Sequence, residues 1–382
     1  MVNLSASGDR RLLKKFEFGK IIWHFVYNLP IEEEKKMKSY KLISRILFVS
    51  LPLLLLLTSC GEKKDKEEKT AFSIAVFVPG VLAGSPTYEM MDKGVRAAAL
   101  RKEATVKTIE GGFNQAEWAE KVTALAAEGT YDLIVTSNPS MPEICRKIQE
   151  HYPDQDFIVL EGSGIENDQV STFFFNHREL AFLLGNFAGL ITENRISGKE
   201  IKKIGLIAGQ EYPEMNNLIK PGFEMGFKNI NSDIELDFRI IGNWYDASKA
   251  SDLAADMFNN GADIVLAIAG GANQGVVSAA KTAGKFVLWY DSNGYAIEPG
   301  VVIGSGVIRE DKAASEMIEK AIDGTLVRGS SISAGVKEGY VDFIDDDANY
   351  IKYVPVGVRE EMGKIIEDMR SGEITLPAGS EG

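Results

Sequence analysis

The chain has 382 residues, with 42 Lys and Arg against 55 Asp and Glu, three histidines and two cysteines. So few cysteines and histidines argue against a disulfide framework, a His-rich metal site or two-histidine catalysis. The acidic balance repels nucleic acid and anionic headgroups and disfavours a polyphosphate ligand.

In chain order, residues 1–36 carry no assignable pattern and read as an upstream extension ahead of Met37. From Met37, Lys38, Lys41 and Arg45 form a basic n-region, and Ile46 to Leu57 form an apolar run of about a dozen residues. A membrane-spanning helix needs roughly 20 apolar residues, so residues 37–59 are expected to be a cleaved export signal. Leu57-Thr58-Ser59-Cys60 resembles the bacterial lipobox, which implies lipidation of Cys60, a lipid anchor in the membrane and a domain facing the periplasm or the exterior. The segment GEKKDKEEKT that follows cannot bury enough surface to fold, so residues 60–70 read as a lipidated cysteine and a charged tether. With Cys60 occupied, Cys145 in SMPEICRKIQE is expected to be a small buried hydrophobe on a helix.

Without residues 1–60 the chain carries 32 basic against 50 acidic residues, a formal charge of −18. About 320 residues exceed what one core usually supports, so two lobes are expected. Self-comparison supports this. FSIAVFVPG (72–80) pairs with KIGLIAGQ (203–210), YDLIVTSNPS (131–140) with ADIVLAIAGG (262–271), and FIVLEG (157–162) with FVLWYDSN (286–293). VKTIEGGFNQAEW and LDFRIIGNWYDAS keep the same step, so that four pairs share an offset of 129 to 131. Each apolar run precedes a helical pattern, such as EWAEKVTALAAEG or QGVVSAAKTAG. Continuously apolar strands alternating with helices predict two α/β lobes with doubly wound parallel sheets. The first lobe is expected over 71–175 plus about 306–335, and the second over 176–305 plus about 336–382.

Ligands of open parallel sheets bind beyond the carboxyl ends of the strands. The loops at those ends concentrate Asn, Gln, Ser, Asp, Tyr and Trp and hold almost no Lys or Arg. Such groups suit a neutral ring bearing hydroxyls: aromatics sandwich the ring, amides read its edge, and carboxylates accept from vicinal hydroxyls. Candidates in the first half are Ser85, Thr87, Tyr88, Gln115, Asn138, Ser140 and Glu161, with Asn176 where the lobes meet. Those in the second half are Tyr212, Asn243, Trp244, Tyr245, Asp246, Asn273, Asp291 and Asn293. Trp118 has helical spacing to Val122 and Leu125 and reads as core; His151 and His177 read as surface or hydrogen-bonded residues, not metal ligands. AGGANQG is not a dinucleotide fingerprint, and DFIDDDANY lacks the alternation and glycine of a calcium loop, so no metal and no cofactor is expected.

The order lipobox, strand, GADIVLAIAGGANQGVVSAA and VLWYDSN resembles the basic membrane protein family, substrate-binding lipoproteins of ABC importers. The likeness spans about residues 70–330 and is strongest over 203–310. It implies a type I periplasmic-binding-protein fold with three crossovers and a ligand buried by hinge closure, and ABC permease subunits as partners. It also implies ring stacking by Trp244, a ribose contact at Asp291 and a basic contact at Arg309. The first loop, VLAGSPTYEMM, lacks the aspartate usual in nucleoside receptors of the family. GSPTYEM, FNQAEW, SNPSMPEI and GNWYDA look closer to its riboflavin-binding members, so riboflavin is preferred and a purine nucleoside is the alternative. An enzyme acting on such ligands would need a general acid or base, a role imaginable for Glu161 or Asp291; no nucleophile motif accompanies them, and a binding protein is expected. A surface adhesin is a further alternative.

Overall fold

A computed structural model of the chain describes residues 71–162, 169–194 and 203–376. Cys60, the signal and the tether lie outside them, and no described helix is long and apolar enough to cross a membrane.

The apolar runs become strands. β1 (Ser73–Val78), β2 (Thr105–Glu110), β3 (Leu133–Ser137), β4 (Asp156–Leu160) and β5 (Val170–Phe175) form the first sheet. β6 (Lys203–Ala208), β7 (Glu235–Ile240), β8 (Ala262–Ile268), β9 (Phe286–Trp289) and β10 (Val302–Ile308) form the second. β11 (Ser331–Ala334) completes the first sheet in the order β11-β5-β4-β3-β1-β2, and β12 (Val341–Phe343) the second in the order β12-β10-β9-β8-β6-β7. All pairs are parallel except β10 with β12. The central strands β1, β3 and β8 are buried along almost their whole length, as helices on both faces require, whereas the edge strand β2 alternates between exposed and half-buried residues. The two sheets thus repeat one topology, and the expected α/β fold with doubly wound parallel sheets is the one observed.

The chain passes between sheets three times. After β5 it enters helix His177–Glu193, which packs on β10 and β12 of the second sheet. After β10 it enters helix Glu310–Ile322, which returns to pack on helix Pro86–Arg101 of the first. The third passage joins β11 to β12. Each crossing leaves the carboxyl end of a strand, so the three connections lie together where the two sheets' strands end.

Helix His177–Glu193 is buried over most of its length and lies against helix Lys220–Ile230 at backbone contact. Glycine makes this approach possible. A Cβ at Gly226 would lie 2.2 Å from the Phe182 carbonyl oxygen, and one at Gly185 would lie 2.3 Å from that of Phe223. Between them the buried Asn186 is satisfied, donating to the Phe182 carbonyl at 2.8 Å and accepting from the Asn229 amide at 3.0 Å. Trp118 is core, as its spacing predicts, and donates its indole N–H to the Gly112 carbonyl at 2.8 Å; Cys145 is fully buried. Gly226→Ala is expected to force these helices apart at a cost of about 1–3 kcal/mol, because a packed interface absorbs an added methyl only by strain. A thermal melt should show a drop of several degrees, and an unchanged midpoint would refute the close crossing.

Candidate functional site

The strand ends of the two sheets meet around a buried imidazole. His177 opens its helix immediately after β5, and its Nε2 lies 2.6 Å from Glu161 Oε2, beyond the end of β4. Its Nδ1 lies 3.1 Å from the hydroxyl of Tyr290, which follows β9 of the other sheet and donates to the His177 carbonyl at 3.3 Å. Both ring nitrogens are thus engaged, Nε2 by a residue of the first sheet and Nδ1 by one of the second. Burial by itself lowers the His177 pKa, but the charge and hydrogen bond of Glu161 outweigh it and hold the pKa above its ordinary value.

Glu161 and Asp291, paired by the sequence repeat, both adopt left-handed backbone conformations, with φ of +55° and +72°. Non-glycine residues there are uncommon and cluster at ligand-binding sites. Burial, and then the charge of Glu161, raises the Asp291 pKa to about 7, against a smaller opposing effect of His177. Glu310, first residue of the returning helix, is completely buried; desolvation and then Glu161 push its pKa well up. Tyr88, raised to about 12 mainly by burial, feels both Glu310 and Glu161, and Tyr212 feels Asp291 and Glu161. One polar centre therefore draws on both sheets.

Trp244 provides the flat surface beside it. The turn GNWYD is built by Asn243, whose amide oxygen accepts from the Tyr245 and Asp246 N–H groups at 3.0 and 2.7 Å. Asp246 then caps helix Ala247–Asn259 by accepting from the Lys249 N–H at 2.9 Å. The indole packs over Gly209, where a Cβ would approach it to 2.5 Å, and its ring centroid is 6.0 Å from that of Tyr212. Tyr245 lies at the rim, 71% exposed, and faces Phe113, 63% exposed, on the opposite lobe at 6.5 Å.

Through these contacts Tyr88, Glu161, Tyr212, Trp244 and Asp291 come together. Several other candidates are occupied in building loops. Asn138 accepts from the Ser140 N–H at 2.9 Å while its side chain also hydrogen-bonds Tyr88, which keeps it at the site, and Ser140 itself is exposed. Asn176 caps its helix by accepting from the Glu179 N–H at 3.2 Å. Asn273 accepts from the Ala269 N–H at 2.8 Å, and Asn293 donates to Asp347 at 2.9 Å. Ser85 precedes helix Pro86–Arg101 without capping it, Thr87 is half-buried in its first turn, and Gln115 is exposed. Arg309 is exposed and borders a cavity of about 350 Å³ shared with Ser292, Asn293, Asp342 and Arg370. The DFIDDDANY loop is in part structural: Asp342 pairs with Arg370 at 2.6 Å and Asp347 caps helix Ala348–Tyr353. Among the described residues no three His, Cys, Asp or Glu side chains are grouped to hold a metal ion.

Sequence reasoning missed Glu310, Tyr290 and the bridging role of His177. Glu310 in IREDKAASEM looks like any acidic residue in a helix first turn, where the dipole favours it. His177, Asp291 and Glu310 all hold protons in the folded state that the unfolded chain sheds at lower pH. The stabilisation from His177 is complete below its ordinary pKa and lost as pH rises through the raised one. The carboxyls add a growing penalty as pH climbs above their ordinary range. Both effects run the same way, so the ligand-free protein is expected to melt at progressively lower temperature from about pH 5 to about pH 8. A melting series at constant ionic strength checks this, and a rising profile would contradict it.

Comparison with known proteins agrees with this architecture. A basic membrane protein of Borreliella burgdorferi, basic membrane protein D, is 24% identical over 334 residues, covering 85% of this chain and 93% of that one. The nucleoside-binding protein BmpA of an ABC transporter of Lactococcus lactis is 25% identical over 270 residues, covering 66% and 73%. In fold, a solute-binding protein of an ABC transporter system from Aeropyrum pernix superposes with a TM-score of 0.70 at 22% identity, covering 81% of this chain and 94% of that one. The family model described as "ABC transporter substrate-binding protein PnrA-like" matches residues 71–375. With most of its length matched, and with two lobes of the type I periplasmic-binding-protein fold, the chain belongs to the Bmp family of ABC transporter substrate-binding proteins.

Proposed function

We propose that this protein captures a nucleoside between its lobes and delivers it to an ABC permease. The observation that carries this reading is the meeting of Trp244 and Tyr212 with the Asp291 and Glu161 carboxyls at one junction of strand ends. A planar base suits the aromatic pair, and the carboxyls suit the vicinal hydroxyls of a ribose. The name of the Lactococcus lactis relative, a nucleoside-binding protein, supports the same ligand class. The sequence reading ranked riboflavin above a purine nucleoside. We reverse that order, because the polyol contacts serve either ligand and no observed contact favours the wider flavin ring.

Binding and release follow from the crossings. Three strand-end connections let the lobes rotate about a hinge, and a ligand touching both lobes shifts the balance toward the closed form that the permease recognises. Cys60 carries the lipid anchor in this proposal, and the lobes face the periplasm or the exterior. No bond is made or broken. Both nitrogens of His177 are engaged, by Glu161 and by Tyr290, which leaves neither to serve as a general base.

Titration calorimetry with inosine, guanosine, adenosine, uridine and riboflavin tests the ligand class. At least one nucleoside should bind, with a change in Trp fluorescence. Trp244→Ala is expected to weaken it by roughly 5- to 150-fold, the value of about 1–3 kcal/mol for stacking one base. Asp291→Asn should weaken the nucleoside while leaving the free base unaffected. Binding of riboflavin alone would restore the flavin assignment, and silence across the panel would defeat the reading.

A further inference from the structure

Glu310 is out of keeping with its surroundings. Its side chain has no solvent exposure, and among the described residues neither carboxyl oxygen has a hydrogen-bond partner. The Ser137 hydroxyl at the end of β3 lowers its pKa, yet among the described residues that hydroxyl too is buried without a hydrogen-bond partner. Buried carboxyls in folded proteins are almost always satisfied, since leaving one unpaired opposes folding. Nor does charge compensate it. The groups acting on it are acids, with Glu161 from the end of β4, Asp291 from the turn after β9 and Asp311 on its own helix; Tyr88 faces it as well. The His177 ring beside this cluster is engaged by Glu161 at 2.6 Å.

Position gives this deficit a meaning. Glu310 stands where the chain returns from the second sheet to the first, among strand ends of both. We infer that Glu310 is a specificity-determining residue whose carboxyl accepts a hydrogen bond from an N–H or O–H donor at the buried end of the ligand. The ligand supplies the partner that the protein withholds, and a donor at that point relieves the unpaired acid. This rests on the proposed nucleoside reading. Desolvation and the charge of Glu161 raise the Glu310 pKa, and a donor from the ligand favours its ionised form, so binding is expected to shift its titration downward and release protons.

The test compares wild type with Glu310→Gln, which keeps shape and volume. Calorimetry with the best-bound nucleoside should show affinity reduced about 10- to 100-fold, as for loss of a charged hydrogen bond. Proton release, read from titrations in buffers of different ionisation enthalpy, should shrink, while the ligand-free melting temperature stays level or rises. 1-Methylinosine and 2′-deoxyinosine then separate a ring N–H from a sugar hydroxyl as the donor. If Glu310→Gln does not fold, Glu310→Asp, which withdraws the carboxyl by one methylene, should show the same loss. Unchanged affinity and proton release, with a lowered melting temperature, would mark Glu310 as a structural acid and overturn the inference while the nucleoside reading stands. If wild type binds no nucleoside, both fall together.

Discussion

Glu161 and Tyr290 come from different sheets, and the imidazole of His177 is held between them. This bridge is the constraint on which the rest of the site depends. It ties the ends of β4 and β9 to the first residue of the helix that carries the chain across. It also sets a basic ring, whose pKa is held up by Glu161, among acids that would otherwise repel one another. A lone buried carboxylate is expensive, and a paired one is tolerated when its remaining lone pairs are used. His177 meets that condition for Glu161. It does not meet it for Glu310, and Asp291 is relieved only in part.

The junction therefore has two kinds of acid. Glu161 is structural in the sense that its partner is built in. Asp291 and Glu310 remain undercompensated, and their raised pKa values are the measure of that. In a site that closes on a ligand, as proposed, interactions satisfied only in the bound state would favour the closed form. A fully self-satisfied junction would give a ligand nothing to add. The aromatic side is built differently: Trp244 is fixed by a turn whose amide and carboxylate are already spent, so the ring is presented rigidly with little entropy left to lose.

Helix packing fixes how precisely the lobes are formed. The contact of Gly185 and Gly226 brings helix His177–Glu193 to backbone distance from its neighbour, and this helix begins at the site. A shift there would move His177 away from Glu161 and Tyr290. Stability of the second lobe and geometry of the ligand junction are coupled through one helix.

The duplicated α/β plan was legible because buried parallel strands leave continuous apolar runs, and the offset of 129 to 131 placed Glu161 opposite Asp291 before any coordinates. Trp244 was singled out as well, because a Trp-Tyr pair has no turn-forming role, and the structure sets its indole beside Tyr212. The roles of single polar residues were not. Asn243, Asp246, Asn176 and Asn293 look like ligand-reading groups in sequence, and folding engages each in a cap, a turn or a side-chain contact. Tyr245 follows Trp244 directly, yet the turn sends it to the rim. Glu310 was invisible for the opposite reason, an ordinary acid at a helix start that becomes unpaired only when strands 150 residues or more earlier in the chain close over it. Periodicity and repetition are local properties that the chain displays directly. Whether a polar atom is satisfied depends on neighbours distant in sequence, and only the tertiary structure decides that.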